Sequence, residues 1–193
     1  MRKLTISFLL LALLAGQAAA APQLKAGVFA PPRAAPPLAL STGAGQPFRL
    51  EDYRGKVVLL AFGYTHCDAV CPVTLAMLAQ AMRQLGAEAS GVQVVFASVD
   101  PERDDVARMG SYVRQFDPRF AGLSGSRAQV DAVLRAYGIS AHKQPAGAGN
   151  YVIAHSSYLY FIDRKGMLRA LLPFGRPAAD VVHDARALLK EPA

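Results

Sequence analysis

Two cysteines, Cys67 and Cys71, carry the most distinctive chemistry in this chain, within Gly63-Tyr64-Thr65-His66-Cys67-Asp68-Ala69-Val70-Cys71-Pro72. They stand one helical turn apart, so both sulfurs can lie on one side of a helix. A helix N-terminus favours negative charge by about 0.3–1 kcal/mol, which lowers thiol pKa values. Thiolates act both as nucleophiles and as metal ligands. A structural disulfide is one use of such a pair, although closing so short a loop removes little chain entropy. A dithiol redox enzyme is a second, but its usual motif has two residues between the cysteines, not three. A metal site is the third and the favoured use, because soft thiolates select Cu(I) or zinc and imidazole accepts Cu(II) as well. Spacing alone does not separate the redox and metal readings.

A metal site on two sulfurs needs a donor from elsewhere, and the chain offers four histidines. His66 adjoins Cys67, but sequence neighbours can point apart. His142 lies in a Gly- and Pro-rich stretch, and His183 is expected on an exposed face of the last helix. His155, in Tyr151-Val152-Ile153-Ala154-His155-Ser156-Ser157, enters a β-hairpin that a thioredoxin-like sheet would set beside the cysteine helix. Topology therefore favours His155 without excluding the others.

The elements that must position these residues follow from hydrophobic pattern. Lys56–Phe62 is a continuous apolar run, as in a strand buried on both faces. Pro72 suits the first turn of a helix, and Val73, Met77, Leu78, Met82 and Leu85 recur at helical spacing until Gly86. Val92–Val99 reads as a second buried strand, parallel to the first. Asp104 is expected to cap a helix reaching Phe116, and Ser126 another reaching Tyr137, with a short strand at Phe120–Leu123 between them. Leu38–Leu40 and Phe48–Leu50 suggest an N-terminal hairpin. Residues 140–150 lack periodicity and read as a mobile loop. Ser157–Ile162 and Met167–Leu172 form a hairpin through Arg164-Lys165-Gly166, and a final amphipathic helix covers Pro177–Lys190. The predicted class is α/β, thioredoxin-like: a central mixed sheet flanked by helices, with an N-terminal hairpin and a helical insertion.

A chain of 193 residues, 52% hydrophobic and 18% charged, can bury one ordinary core, and two cysteines are too few for a disulfide scaffold. Residues 1–20 combine Arg2-Lys3, an apolar run from Leu4 to Gly16 and small residues before Pro22, the pattern of a secretory signal cleaved after Ala20 or Ala21. An uncleaved leader would instead hold the chain at the inner membrane, facing the periplasm. Residues 21–37 are Pro-rich and read as a linker or surface-hugging arm, with the folded domain at 38–193. Cleavage removes Arg2 and Lys3 and no acid, lowering the formal charge from +7 to +5. The basic residues are scattered, with no run and no aromatic interleaving, so no nucleic-acid partner is expected. No large apolar surface is evident, and a monomer is the expected state.

Three blocks together resemble the Sco/SenC family: Gly63-Tyr64-Thr65-His66-Cys67 with Cys71-Pro72, Ser98-Val99-Asp100-Pro101-Glu102-Arg103-Asp104, and Tyr151-Val152 with His155-Ser156-Ser157. That resemblance implies a thioredoxin-like, copper-binding factor in cytochrome c oxidase assembly. It implies Cys67, Cys71 and His155 as ligands of Cu(I) or Cu(II). It also implies a copper-accepting partner, the binuclear CuA centre of oxidase subunit II, although some relatives are thought to reduce that centre's cysteines instead. The sequence departs from the family pattern at two places. Asp68 and Ala69 follow Cys67 where Pro and Asp are usual, and Ala154 stands where an acid commonly precedes the histidine. The competing class is a metal-free thiol–disulfide or peroxide reductase using Cys67 and Cys71, and a copper store or copper-responsive regulator is a third.

Overall fold

The computed structural model describes residues 23–147 and 149–193. The expected secretory signal, residues 1–20, lies outside the described residues. Nine strands and four α-helices are described, beginning with β1 (Gly27–Ala34), β2 (Ser41–Thr42) and β3 (Val57–Gly63). There follow α1 (Val70–Leu85), β4 (Val92–Ser98), α2 (Val106–Arg114), β5 (Ala121–Ser124) and α3 (Arg127–Tyr137). The chain continues through β6 (Ala141–Pro145), β7 (Tyr151–His155), β8 (Tyr158–Ile162), β9 (Met167–Pro173) and α4 (Ala178–Leu189). Seven strands make one mixed sheet in the order β1-β9-β8-β3-β4-β5-β2, and β6 and β7 make a second sheet of two. No described helix is long and apolar enough to cross a membrane.

The thioredoxin-like layout rests on β3. Every residue of β3 is buried, as its uninterrupted apolar run requires of a central strand. It pairs parallel with β4, from Val57↔Val92 to Gly63↔Ser98, and antiparallel with β8, from Val58↔Ile162 to Ala61↔Leu159. Helix α1 connects the parallel pair, burying Leu75, Leu78, Met82 and Leu85 and packing against α4. Gly86 ends it at φ +57°, a conformation that a residue without Cβ adopts readily. Val73, which falls in the same predicted stripe, is instead 56% exposed. The expected helical insertion is α2 and α3, separated by β5. Ser126 caps α3 in a capping box with Gln129, as anticipated.

Four expectations need correction. Residues 140–150 are not a structureless loop: β6 and β7 pair from Ala141↔His155 to Pro145↔Tyr151. The exposed β6 segment, Ala-His-Lys-Gln-Pro, packs little side chain, so cross-strand hydrogen bonds hold it without leaving an apolar signature. Asp104 does not cap α2; the cap is Asp105, whose side chain accepts the Arg108 N–H at 2.7 Å. The N-terminal hairpin is present, with the Thr42 N–H donating to the Gln46 carbonyl at 2.9 Å and the Phe48 N–H to the Leu40 carbonyl at 2.8 Å, but its expected end, Leu50, instead opens a 3-10 turn through Tyr53. Residues 21–37 do more than tether, because β1 forms an edge of the main sheet against β9. Pro31 and Pro32 fall at its register shift, where a missing N–H disturbs no ladder.

The start of that edge is pinned by a buried carboxylate. Asp184 of α4 is fully buried and accepts the Lys25 N–H at 2.7 Å and the Ala26 N–H at 2.9 Å. Asp184→Ala leaves both donors without their charged acceptor and should cost about 1.5–3 kcal/mol in urea denaturation. Limited proteolysis should then cut ahead of β1 sooner than in the parent; unchanged stability and cutting would mean that the carboxylate does not anchor this edge.

Candidate metal centre

The carboxyl end of β3 delivers the cysteine loop, Tyr64 to Ala69, and α1 begins at Val70, so Cys71 sits in the first helical turn. Cys71 is 2% exposed and Cys67 is half-buried; both are free thiols. The Cys71 N–H donates to the Cys67 sulfur at 3.5 Å. Gly63 makes room for this arrangement. A Cβ there would lie 2.4 Å from the Phe96 ring and 2.7 Å from the Cys71 sulfur. The sulfur therefore packs where any side chain at 63 would stand.

His155, the last residue of β7, closes the group. Its Nε2 lies 3.9 Å from the Cys71 sulfur, and its Nδ1 is 2.9 Å from the Ser156 carbonyl oxygen. A carbonyl can only accept, so Nδ1 carries the proton and Nε2 presents its lone pair to the sulfur. Burial holds the imidazole below the usual histidine pKa, so the ring is neutral at physiological pH. The other three histidines do not join. His142 bonds to Ser140 at 2.8 Å, and His183 to Asp184 at 2.8 Å. His66 faces Asp104 at 3.9 Å with its side chain 42% exposed.

The two thiols differ sharply. Burial opposes ionisation of Cys67, but the backbone N–H groups of Cys71, Ala69 and Val70 outweigh it and hold that thiol below its ordinary value. Burial dominates at Cys71 and, with the neighbouring Cys67 sulfur, pushes its pKa far up. Cys67 is thus the sulfur that ionises more readily and Cys71 the one that holds its proton more tightly. Among the described residues, no three His, Cys, Asp or Glu side chains already stand gathered around a common metal position. Cys71 touches His155 through its sulfur and Cys67 through its N–H, which donates to the Cys67 sulfur.

Two residues that the sequence reading left without a role at the site hold this loop. Asp104, fully buried, accepts the Thr65 N–H at 3.0 Å, the Thr65 hydroxyl at 2.6 Å and the Ser98 hydroxyl at 2.9 Å. Its carboxylate ties the cysteine loop to the end of β4, which is why it cannot also cap α2. Tyr64 packs edge-on against His155, with ring centroids 6.1 Å apart, and its hydroxyl accepts the Ile153 N–H at 3.1 Å. Only the closeness of Asp104 to the cysteine motif's partner block hinted at this. Beside Cys71 an apolar groove of about 150 Å³ opens between α1 and the β8–β9 end, lined by Phe62, Val73, Met77, Tyr158 and Phe174.

Gly63→Ala should destabilise the protein by about 1–3 kcal/mol through overpacking and shift the Cys71 sulfur, read by denaturation and by thiol accessibility. In the parent, iodoacetamide should alkylate Cys67 before Cys71. The Cys67 rate should fall as pH drops through a midpoint below that of an ordinary thiol, because only the thiolate reacts. Equal rates at both sulfurs would contradict the asymmetry.

Comparison with known proteins identifies the family and the fold. The SCO1/SenC family model matches residues 30–190. The mitochondrial SCO2 homologue of Mus musculus is 41% identical over 145 residues, 74% of this chain and 57% of that protein. The chain spans about half the length of the curated relatives it matches. ScoI of Bradyrhizobium japonicum, solved with copper bound, is 34% identical with a TM-score of 0.74, covering 80% of this chain and 99% of that one. Apo Sco1 of Thermus thermophilus is 34% identical with a TM-score of 0.75, covering 86% and 97% respectively. With a match across nearly the whole described domain, this chain belongs to the SCO1/SenC family.

Proposed function

We propose that this protein is a copper metallochaperone: it binds one copper ion through Cys67, Cys71 and His155 and delivers it to the CuA centre of cytochrome c oxidase. The observation that carries this reading is the contact of His155 Nε2 with the Cys71 sulfur at 3.9 Å, its lone pair facing inward. Two sulfurs and a neutral imidazole are a donor set suited to Cu(I), and the imidazole tolerates Cu(II). Two thiolates cancel the charge of Cu(II) and overcompensate that of Cu(I). Three donors also leave a position for a ligand of the acceptor to enter before the first set lets go. Copper bound to the Bradyrhizobium ScoI supports the choice of metal. The leader-like residues 1–20 support export to the periplasm, with the membrane-anchored form as the variant in which they are retained. One chain supplies every donor, so a monomer suffices.

A second reading has one observation in its favour. A half-buried, low-pKa Cys67 beside a buried Cys71 is also the asymmetry of a thiol–disulfide reductase, in which one sulfur attacks and the other resolves. Metal-free turnover of a disulfide substrate with His155 dispensable would favour it.

His155→Ala should weaken copper binding by more than the roughly 10–100-fold typical of losing a group that only orients a ligand, measured by chelator competition. The variant should still oxidise to a Cys67–Cys71 disulfide. Parent-like affinity would remove His155 from the ligand set. Copper must displace the proton held by Cys71, so affinity should fall as pH drops from 8 to 5, by roughly tenfold per unit for each proton displaced. A flat profile would argue against thiolate ligation. Incubating the copper-loaded protein with a soluble CuA domain should move copper to that domain; retention of the metal by this protein would favour storage.

A further inference from the structure

His155 stands at the root of a two-stranded sheet that shares no ladder with the main one. Main-chain hydrogen bonding closes that root between the Ser156 N–H and the Ser140 carbonyl at 3.0 Å. Strand pairing therefore leaves open the angle at which the β6–β7 hairpin lies against the cysteine loop. Side chains set it, and Arg103, in the turn after β4, touches both partners. Its guanidinium lies 3.6 Å from the ring centroid of Tyr151, on the hairpin, and 5.6 Å from that of Tyr64, in the cysteine loop. Its Nη1 donates to the Tyr151 carbonyl at 2.9 Å, and its Nε donates to Asp100 at 2.5 Å. The Tyr151 hydroxyl donates to the other Asp100 oxygen at 2.9 Å, and Asp100 is fully buried.

One planar cation thus bridges the two segments that carry the sulfurs and the imidazole. The arrangement has a cost, because Arg103 Nη2 is buried with no hydrogen-bond partner, a condition uncommon in native proteins. A lysine could not replace this fork, since a point charge cannot stack on a ring while donating in two fixed directions. The other charged tie to the hairpin, Lys143 with Glu102, is solvent-exposed on both sides and is expected to contribute little.

We propose that Arg103 is a positioning residue for His155, holding the hairpin against the cysteine loop so that Nε2 stays at the Cys71 sulfur. The inference rests on the copper reading above for its affinity arm, and on the metal-free protein alone for its exchange arm. Arg103→Lys and Arg103→Met are made in the parent and in His155→Ala, with Glu102→Gln as the control. Cu(I) affinity is read by chelator competition, the Cu(II) site by its sulfur-to-copper absorption, and hairpin opening by amide hydrogen exchange without metal. The Arg103 variants should bind copper about 10–100-fold more weakly, shift the absorption and exchange faster across 151–155. They should add nothing to the loss in His155→Ala, as two changes acting through one contact must. Glu102→Gln should stay within about twofold of the parent.

Parent-like affinity and exchange in Arg103→Lys and Arg103→Met would overturn the proposal. So would a loss of equal size in the His155→Ala background, which would make Arg103 a general stabiliser. Should Arg103→Met fail to fold, Arg103→Lys carries the same readouts. A parent that binds no copper would sink the copper reading, while unchanged hydrogen exchange would still sink the positioning role separately.

Discussion

The antiparallel pairing of β3 with β8 is the constraint on which the site depends. It sets the carboxyl end of one strand beside the amino end of the other, with Ala61 opposite Leu159. The cysteine loop leaves the first end and His155 approaches the second, so Cys71 and His155, 84 residues apart, meet at one sheet edge. Every feature of β3 serves this juxtaposition. Its continuous apolar run fixes it at the centre of the sheet, where it pairs on both sides. Its last residue, Gly63, gives the Cys71 sulfur the space that a side chain would occupy.

Around that edge, a buried acceptor does the holding and backbone dipoles do the tuning. Asp104 is hidden from solvent and accepts three hydrogen bonds, so its side-chain oxygens are not left buried without partners. It fixes Thr65, and with it the start of the loop. The same loop turns its N–H groups toward Cys67, which lowers that thiol, while the helix that follows buries Cys71 and raises it. Two chemically identical residues one turn apart are made unlike by where their sulfurs point. Of the positions that depart from the family pattern, Ala69 takes part in this group through its N–H, and Ala154 is exposed.

Much of the frame was legible in the sequence because it follows from local pattern. Buried strands such as Lys56–Phe62 announce themselves by continuous apolarity, and the α3 start by Ser126. The misreadings share a physical cause. The β6 strand is exposed, so cross-strand hydrogen bonding supports it and no apolar period marks it. Asp104 and Asp105 are equally good caps by type, and only the demand of Thr65 and Ser98 for a buried acceptor separates them. Val73 fits the helical stripe by spacing, yet it lies over a groove at which the β8–β9 end stops short of covering it.

By itself the sequence determined the chemistry available: two sulfurs on one helical turn, an imidazole ahead of a hairpin, and a sheet on which to hang them. Residue type and spacing suffice for that, since thiol chemistry and helical periodicity are local properties. Only the tertiary structure decided which of four histidines meets the sulfurs, which ring nitrogen faces them, and which thiol ionises first. Those outcomes depend on distances between segments far apart in the chain and on the burial and hydrogen bonds they share, and no local pattern encodes either.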